Sequence, residues 1–360
     1  MAETLPLEAL ARAVRAAFGI DVTIRATDRL RGDASSRSYV RLYLAGGRAP
    51  STVVAMLLGS DRAPLGSDEL GDDAGVTELP FVNVGRYLAA HGLPVPAMHH
   101  DATETDRLLL LEDVGDTTLW AAAEAAAEAA PGEVARLFDA AVELLIELQA
   151  TGARDPDPRC HAFRQRFDGR LARWELEHFV EHGIETRHGR ALPPAKRTAL
   201  LSALAPLAAP FDDAATTLVH RDFMAWNLHV QGDRLRLIDF QDALLGPDAY
   251  DLAALLTDRT TGTLVSPALE TSLIARFVEG RARVGLPVVG DVAGRVRACA
   301  LHRALKVIGR FYFLERVKGK PGYLAYLPSV YAAARRCFAA SPAWAGIQTR
   351  VAAHVPELAA

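Results

Sequence analysis

Apolar positions recur at helical spacing from the start of the chain. Leu7, Leu10, Ala11, Val14 and Phe18 share one side of a helix over residues 4–18, with Gly19 as its stop. The period then drops to that of a strand. Val22-Thr23-Ile24 reads as a short strand, and residues 37–44 alternate strictly. Tyr39, Arg41 and Tyr43 face one way; Val40, Leu42 and Leu44 face the other. Gly46-Gly47 marks a turn, and Thr52–Leu58 has the continuous apolar character of a buried strand. Residues 59–76, rich in Gly, Asp, Ser and Pro, read as a loop. A helix is expected over 79–91, closed by Gly92 and Pro94, then strands at 97–101 and 108–112.

Beyond Asp113-Val114-Gly115-Asp116 the helical period dominates. Helices are predicted at 118–129, 132–151, 160–183, 193–208, 267–285, 289–315 and 322–339. One polar, β-type island interrupts them, with strands at 217–219, 228–230 and 235–238. No segment repeats at a fixed period. The pattern predicts an α+β protein with a five-stranded or similar antiparallel sheet and one helix over residues 1–112. A mainly helical domain follows over 113–360.

Composition narrows the class. The 360 residues are half hydrophobic and 23% charged, which excludes a disordered chain. A formal net charge of −4 argues against a nucleic-acid partner. Cys160, Cys299 and Cys337 are odd in number and far apart, the pattern of reduced thiols in a cytoplasmic protein. No basic and apolar leader opens the chain, and no apolar run reaches membrane-spanning length without a charge. The Ala-rich stretch 121–130 is broken by Glu124 and Glu128 and is a good helix former.

The island carries the chemistry. It reads His220-Arg221-Asp222-Phe223-Met224-Ala225-Trp226-Asn227, and then Ile238-Asp239-Phe240-Gln241-Asp242. His-Arg-Asp followed by four residues and Asn is the spacing of a kinase catalytic loop. Phosphoryl transfer needs a carboxylate facing the attacking hydroxyl and oxygen ligands for the metal on the phosphates. Asp222 is the candidate base, and Asn227 and Asp239 are the candidate Mg2+ ligands. His220 is expected to hold the loop by packing and hydrogen bonding rather than to move a proton.

These residues resemble the aminoglycoside phosphotransferase family. Within it, the chain looks like the cell-wall sugar kinases that act on the anomeric hydroxyl of N-acetylmuramate and N-acetylglucosamine. The resemblance is carried by residues 33–41, Leu109–Asp116, His220–Asn227 and Ile238–Ala243, continuing through Gly246-Pro247 and Tyr250-Asp251-Leu252. A weaker stretch is Leu305–Gly309 with Gly319-Lys320-Pro321 and Tyr323-Leu324. The resemblance implies a protein-kinase-like, two-lobed fold that binds ATP and Mg2+ and phosphorylates a small sugar. It implies that Glu112 to Val114 form the hinge facing adenine and that Ser35, Ser36 and Arg37 cover the phosphates. It also implies that Asp251 braces the catalytic loop.

Two departures stand out. Only Gly32 precedes the nucleotide loop, and Met56 occupies the place of the lysine that usually grips the α- and β-phosphates. Arg41 or Arg37 is a candidate for the missing cation. For the acceptor, His302, Lys306 and Arg310 recur every four residues, so a helix would present them together. Such a face is either a solvated basic surface or a cationic wall suited to an acidic sugar. Trp226 offers a flat ring to a sugar, and Asp242 an acidic contact to a cationic acceptor. An aminoglycoside- or choline-type acceptor, or a nucleotide-binding pseudokinase lacking turnover, is the competing reading.

Overall fold

The structure, a computed structural model, describes residues 5–30, 37–59, 78–212 and 215–360. The chain divides into two compact units. The first comprises the described residues of Met1–Leu65 and Pro94–Asp116, and the second those of Gly66–Leu93 and Thr117–Ala360. The first unit therefore ends at Asp116 rather than at 112, and the helix at Pro80–Ala90 groups with the second unit.

In the first unit, helix α1 (Leu7–Phe18) precedes strands β1 (Thr23–Leu30), β2 (Ser38–Ala45) and β3 (Thr52–Leu57). After helix α2 (Pro80–Ala90), strands β4 (Met98–Ala102) and β5 (Leu108–Glu112) complete an antiparallel sheet in the order β1-β2-β3-β5-β4. The strict alternation in β2 has its expected cause. Val40 and Leu42 pair with Ala55 and Val53, and this face packs with Leu108 and Leu110 against Leu10, Ala13 and Val14 of α1. Removing such side chains from water stabilises the unit by about 1.5–3 kcal/mol each. Arg41 and Met56 lie on the opposite face. β1 runs six residues past the expected Ile24 with almost no burial, so its hydrophobic pattern is silent.

The second unit is mainly helical. α3 (Leu119–Ala126) is capped by Thr118, whose Oγ1 accepts from the Ala121 N–H at 3.1 Å. It is followed by α4 (Pro131–Arg154), α5 (Gly169–His178) and α6 (Pro194–Leu204). Residues 160–183, expected as one helix, are interrupted. Gln165 and Phe167 instead pair by backbone hydrogen bonds of 3.0 and 2.8 Å with Leu245, and Asp168 then caps α5. α5 passes directly into a π-helix at Phe179–Thr186.

Strands β6 (Thr217–Val219), β7 (Leu228–Gln231), β8 (Arg234–Leu237) and β9 (Leu244–Gly246) form two small antiparallel pairs, β6–β9 and β7–β8. Then come α7 (Tyr250–Thr257), α8 (Pro267–Arg283), α9 (Val292–Tyr312), α10 (Leu327–Ala339) and α11 (Ala345–Ala352). Helix α7 has no amphipathic signature because residues 250–256 are all buried.

α9 is the central helix, packed against α5, α7, α10 and the π-helix at 179–186. The crossing is close at Gly309. A Cβ there would lie 2.8 Å from the Phe179 Cα and 3.0 Å from the His178 carbonyl oxygen. All three cysteines are free and buried. Burial pushes the thiols up, Cys160 to about 11 and Cys337 to about 12. Among the described residues, no helix is long and apolar enough to cross a membrane.

Candidate active site

Loop 220–227 leaves β6 and enters β7, and its shape is set by hydrogen bonds onto neighbouring backbone. The Asn227 Nδ2 donates to the Asp222 carbonyl at 2.8 Å, and the Ile238 N–H donates to the Asn227 carbonyl at 3.0 Å. Asn227 thus ties the loop to the strand end that presents Asp239. Arg221 and Asp239 adopt φ of +76° and +64°, a region costly for residues with a side chain. Such backbone persists only where the surroundings hold it. Here the surroundings include Asp251 of α7, whose carboxylate accepts from the His220 N–H at 2.6 Å and the Arg221 N–H at 2.9 Å. Asp251 is wholly buried, and burial pushes its carboxyl up to about 7 despite these two donors. It braces the loop, as the resemblance implied.

His220 also has the holding role expected of it. Its Nε2 faces the Ile238 carbonyl at 3.0 Å and must carry the proton of that bond. Burial lowers its pKa to about 4, so the ring is neutral.

Asp222 is one-third exposed, and its Oδ1 accepts from the Arg303 Nη2 at 3.1 Å. Burial alone would raise its pKa, but Arg303, then Lys306 and Arg221, outweigh it and hold the carboxyl well below its ordinary value. The group is a carboxylate at neutral pH, able to accept a proton. Beneath it, the fully buried Glu175 carboxylate accepts from the Arg221 Nη2 at 3.2 Å and lies 2.6 Å from the Lys306 Nζ. No sequence pattern marks Arg303 or Glu175. Arg303 neighbours His302, yet the 302, 306, 310 spacing drew attention to another side of the helix. Glu175 sits in a segment whose other charged residues, Arg170, Arg173 and Glu177, are exposed.

Asn227 and Asp239 suit a hard cation. With the Asn227 Nδ2 bonded to the Asp222 carbonyl, the amide oxygen is the atom left that could ligate a cation, and the Asp239 carboxylate is oriented by a 2.9 Å bond from the Gln241 Nε2 to Oδ1. Few protein oxygens suffice for magnesium, which retains water and binds phosphate. Among the described residues, no group of three or more His, Cys, Asp or Glu forms a self-sufficient metal site.

Other expected site residues fall differently. Ser35 and Ser36 lie outside the described residues, and Arg37 directly precedes β2. Arg41 is already ion-paired. Its guanidinium makes four hydrogen bonds of 2.6–2.9 Å to Asp113 and Asp116, so two carboxylates already face its one charge. Met56 is fully buried. Glu112 turns its side chain onto the Ala97 N–H at 3.0 Å, and Val114 is buried two residues on.

The α9 residues expected as a cationic wall have partners within the protein. His302 is wholly buried among Phe167 and Phe211, with Nε2 2.9 Å from the Ala172 carbonyl oxygen, and burial lowers its pKa. Lys306 faces Glu175, and the Arg310 guanidinium lies 5.3 Å over Phe313. The three do share a side of the helix, but α9 is surrounded there by protein. Trp226 is half-buried, stacked on Trp120 at 4.5 Å, and donates to the Thr260 Oγ1 at 2.7 Å. Arg259 lies 5.7 Å over the Trp226 ring and 4.7 Å over Tyr326. Asp242 is half-buried in the turn after Asp239.

Comparison with known proteins gives the chain's family and fold. Residues 29–287 match the model of the phosphotransferase enzyme family, APH. The N-acetylmuramate/N-acetylglucosamine kinase of Caulobacter vibrioides is 31% identical over 356 residues, covering 91% of this chain and 92% of that one. The kinase of the same name from Pseudomonas aeruginosa is 30% identical over 261 residues, covering 70% of this chain and 71% of its own. Among solved structures, choline kinase from Cryptosporidium parvum Iowa II superposes with a TM-score of 0.62 at 10% identity, covering 94% of this chain and 97% of that one. An amicoumacin kinase in complex with AMP-PNP, Ca2+ and Ami gives 0.59 at 15% identity, covering 94% and 95%. The fold is thus protein-kinase-like, an antiparallel β-sheet unit followed by a mainly helical one. On the match of its sequence to the family over most of its length, the chain belongs to the phosphotransferase enzyme family, whose members move phosphate to hydroxyl acceptors.

Proposed function

We propose that the protein transfers the γ-phosphoryl group of ATP to the anomeric hydroxyl of N-acetylmuramate and N-acetylglucosamine. The relatives' names support the acceptor, and the ionised Asp222 on a loop braced by Asp251 supports the chemistry. The acceptor oxygen forms a bond to the γ-phosphorus as the bond to ADP breaks, and the hydroxyl proton passes to Asp222. Asn227 and Asp239 would hold Mg2+, which supplies charge neutralisation on the phosphates. Trp226, four residues after Asp222, offers a ring face for the sugar, with Asp242 nearby in sequence. Ser35, Ser36, Arg37 and the backbone at Glu112 and Val114 are the proposed nucleotide contacts of the first unit. The three free, buried cysteines support a reducing, cytoplasmic setting.

The test is ADP release from magnesium-ATP with N-acetylmuramate, N-acetylglucosamine, kanamycin and choline, beside an N-acetyl sugar methylated at the anomeric oxygen. Turnover with the free sugars and none with the methylated one is expected. Turnover confined to kanamycin or choline would discard the sugar acceptor and keep the residue roles. Nucleotide binding without any turnover would favour a pseudokinase.

A further inference from the structure

Arg303 belongs to α9 yet is bonded almost wholly to the catalytic loop. It is 6% exposed. Its Nη1 donates to the Arg221 carbonyl at 3.1 Å and to the Tyr250 Oη at 3.3 Å. Its Nη2 donates to the Asp222 Oδ1 at 3.1 Å and lies 3.0 Å from the Met224 Sδ. The fork therefore fixes both the strained Arg221 backbone and one oxygen of the Asp222 carboxylate. Among the described residues, the Asp222 Oδ2 has no hydrogen bond, so Oδ1 is committed and Oδ2 is the oxygen left for a hydroxyl.

We propose that Arg303 is a positioning residue: by holding Oδ1 it fixes the plane of the Asp222 carboxylate, aims Oδ2 at one hydroxyl of a polyhydroxyl acceptor, and so favours transfer over hydrolysis. The inference rests on the phosphotransfer reading above. A sugar presents several hydroxyls of similar reactivity, and water competes with all of them. A carboxylate that can swing serves each of these nucleophiles, whereas a clamped one serves the hydroxyl that the acceptor pocket places in its line. In the transfer step the chosen oxygen bonds to the γ-phosphorus of ATP, the bond to ADP breaks, and the proton goes to Oδ2. With water as the nucleophile, the same exchange of bonds yields phosphate. Misplacement by about 1 Å can cost 100-fold in rate, so a modest loosening is measurable.

The test compares Arg303→Lys, which keeps the charge and loses the fork, with Tyr250→Phe, which removes one anchor of the fork at constant shape. Phosphorylated acceptor and acceptor-independent ADP release are measured separately, with thermal melting as the folding control. For Arg303→Lys, transfer turnover is expected to fall about 10- to 100-fold. The acceptor KM should change little, and the ratio of transfer to hydrolysis should drop. Tyr250→Phe should lower the same ratio less, and it decides the matter if Arg303→Lys does not fold. A wild-type ratio in the folded variants, or parallel loss of both activities, would overturn the proposal. A wild-type protein that phosphorylates no acceptor would overturn the phosphotransfer reading and this proposal with it.

Discussion

Arg303 and Asp222 are eighty-one residues apart in sequence and meet in an ion pair of 3.1 Å. The contact joins the central helix of the second unit to the loop proposed to carry its chemistry. Around it, Arg221 and Lys306 face the buried Glu175, and Asp251 holds the loop backbone, so the expected effects of altering this network can be stated one at a time.

Asp222→Asn keeps the size of the side chain and removes its capacity to take a proton. Turnover should fall by about 10²- to 10⁴-fold, the usual worth of a general base. Calorimetric titration with ATP should give near wild-type affinity. Retained turnover would remove Asp222 from the role.

Glu175→Gln leaves Arg221 and Lys306 without their buried anion. Breaking such a group by removing one partner costs about 3–5 kcal/mol. Urea denaturation should register that loss, and adding Lys306→Met should recover part of it by withdrawing one of the two cations that face position 175. A double variant less stable than Glu175→Gln would contradict the pairing.

Gly309→Ala places a methyl group against backbone atoms of His178 and Phe179 that cannot rotate aside. The helices must separate, at about 1–3 kcal/mol. An unchanged melting temperature would mean that this crossing is looser than the structure has it.

Acid acts on the protein through two opposed sets of buried groups. His99, His182, His220, His302 and His354 all have pKa values lowered by burial, His220 to about 4 from an ordinary 6.5. Each takes a proton more readily when unfolded, so the stability they contribute is complete above 6.5 and is lost as pH falls through their folded values. Asp251, pushed up to about 7 from 3.8, acts in reverse: its contribution is present below 3.8 and lost as pH rises towards 7. Asp258 shifts in the same direction as Asp251. The two sets oppose each other between about pH 5 and 7, so Asp251→Asn, which withdraws one opposing group, should make the urea midpoint fall more steeply from about pH 7.5 to about pH 5 than it does in the native protein. An equal change in the two proteins would show that Asp251 is not held protonated by burial.

The loop proposed as catalytic is legible in the sequence because its motif is compressed into eight consecutive residues and a following strand end. The alternation in β2 was legible because one face of the sheet is covered by α1. Arg303 and Glu175 were not, since a buried ion network is built from side chains distant in sequence, and no local pattern separates a buried arginine from an exposed one. The 302, 306, 310 spacing gave the right geometry and the wrong surroundings. Periodicity tells which residues share a side of a helix, but here both sides of α9 are covered. α7 escaped notice for a related reason: a helix buried all round has no polar face to reveal its period.

The cysteines have a practical consequence. A thiol reacts as its thiolate, and all three here are enclosed, with the charged form disfavoured. The native chain should therefore be nearly silent to maleimide dyes and spin labels. A cysteine introduced on each unit would then be labelled selectively, and the distance between the two labels could be followed through the catalytic cycle without first stripping the natural thiols from the protein.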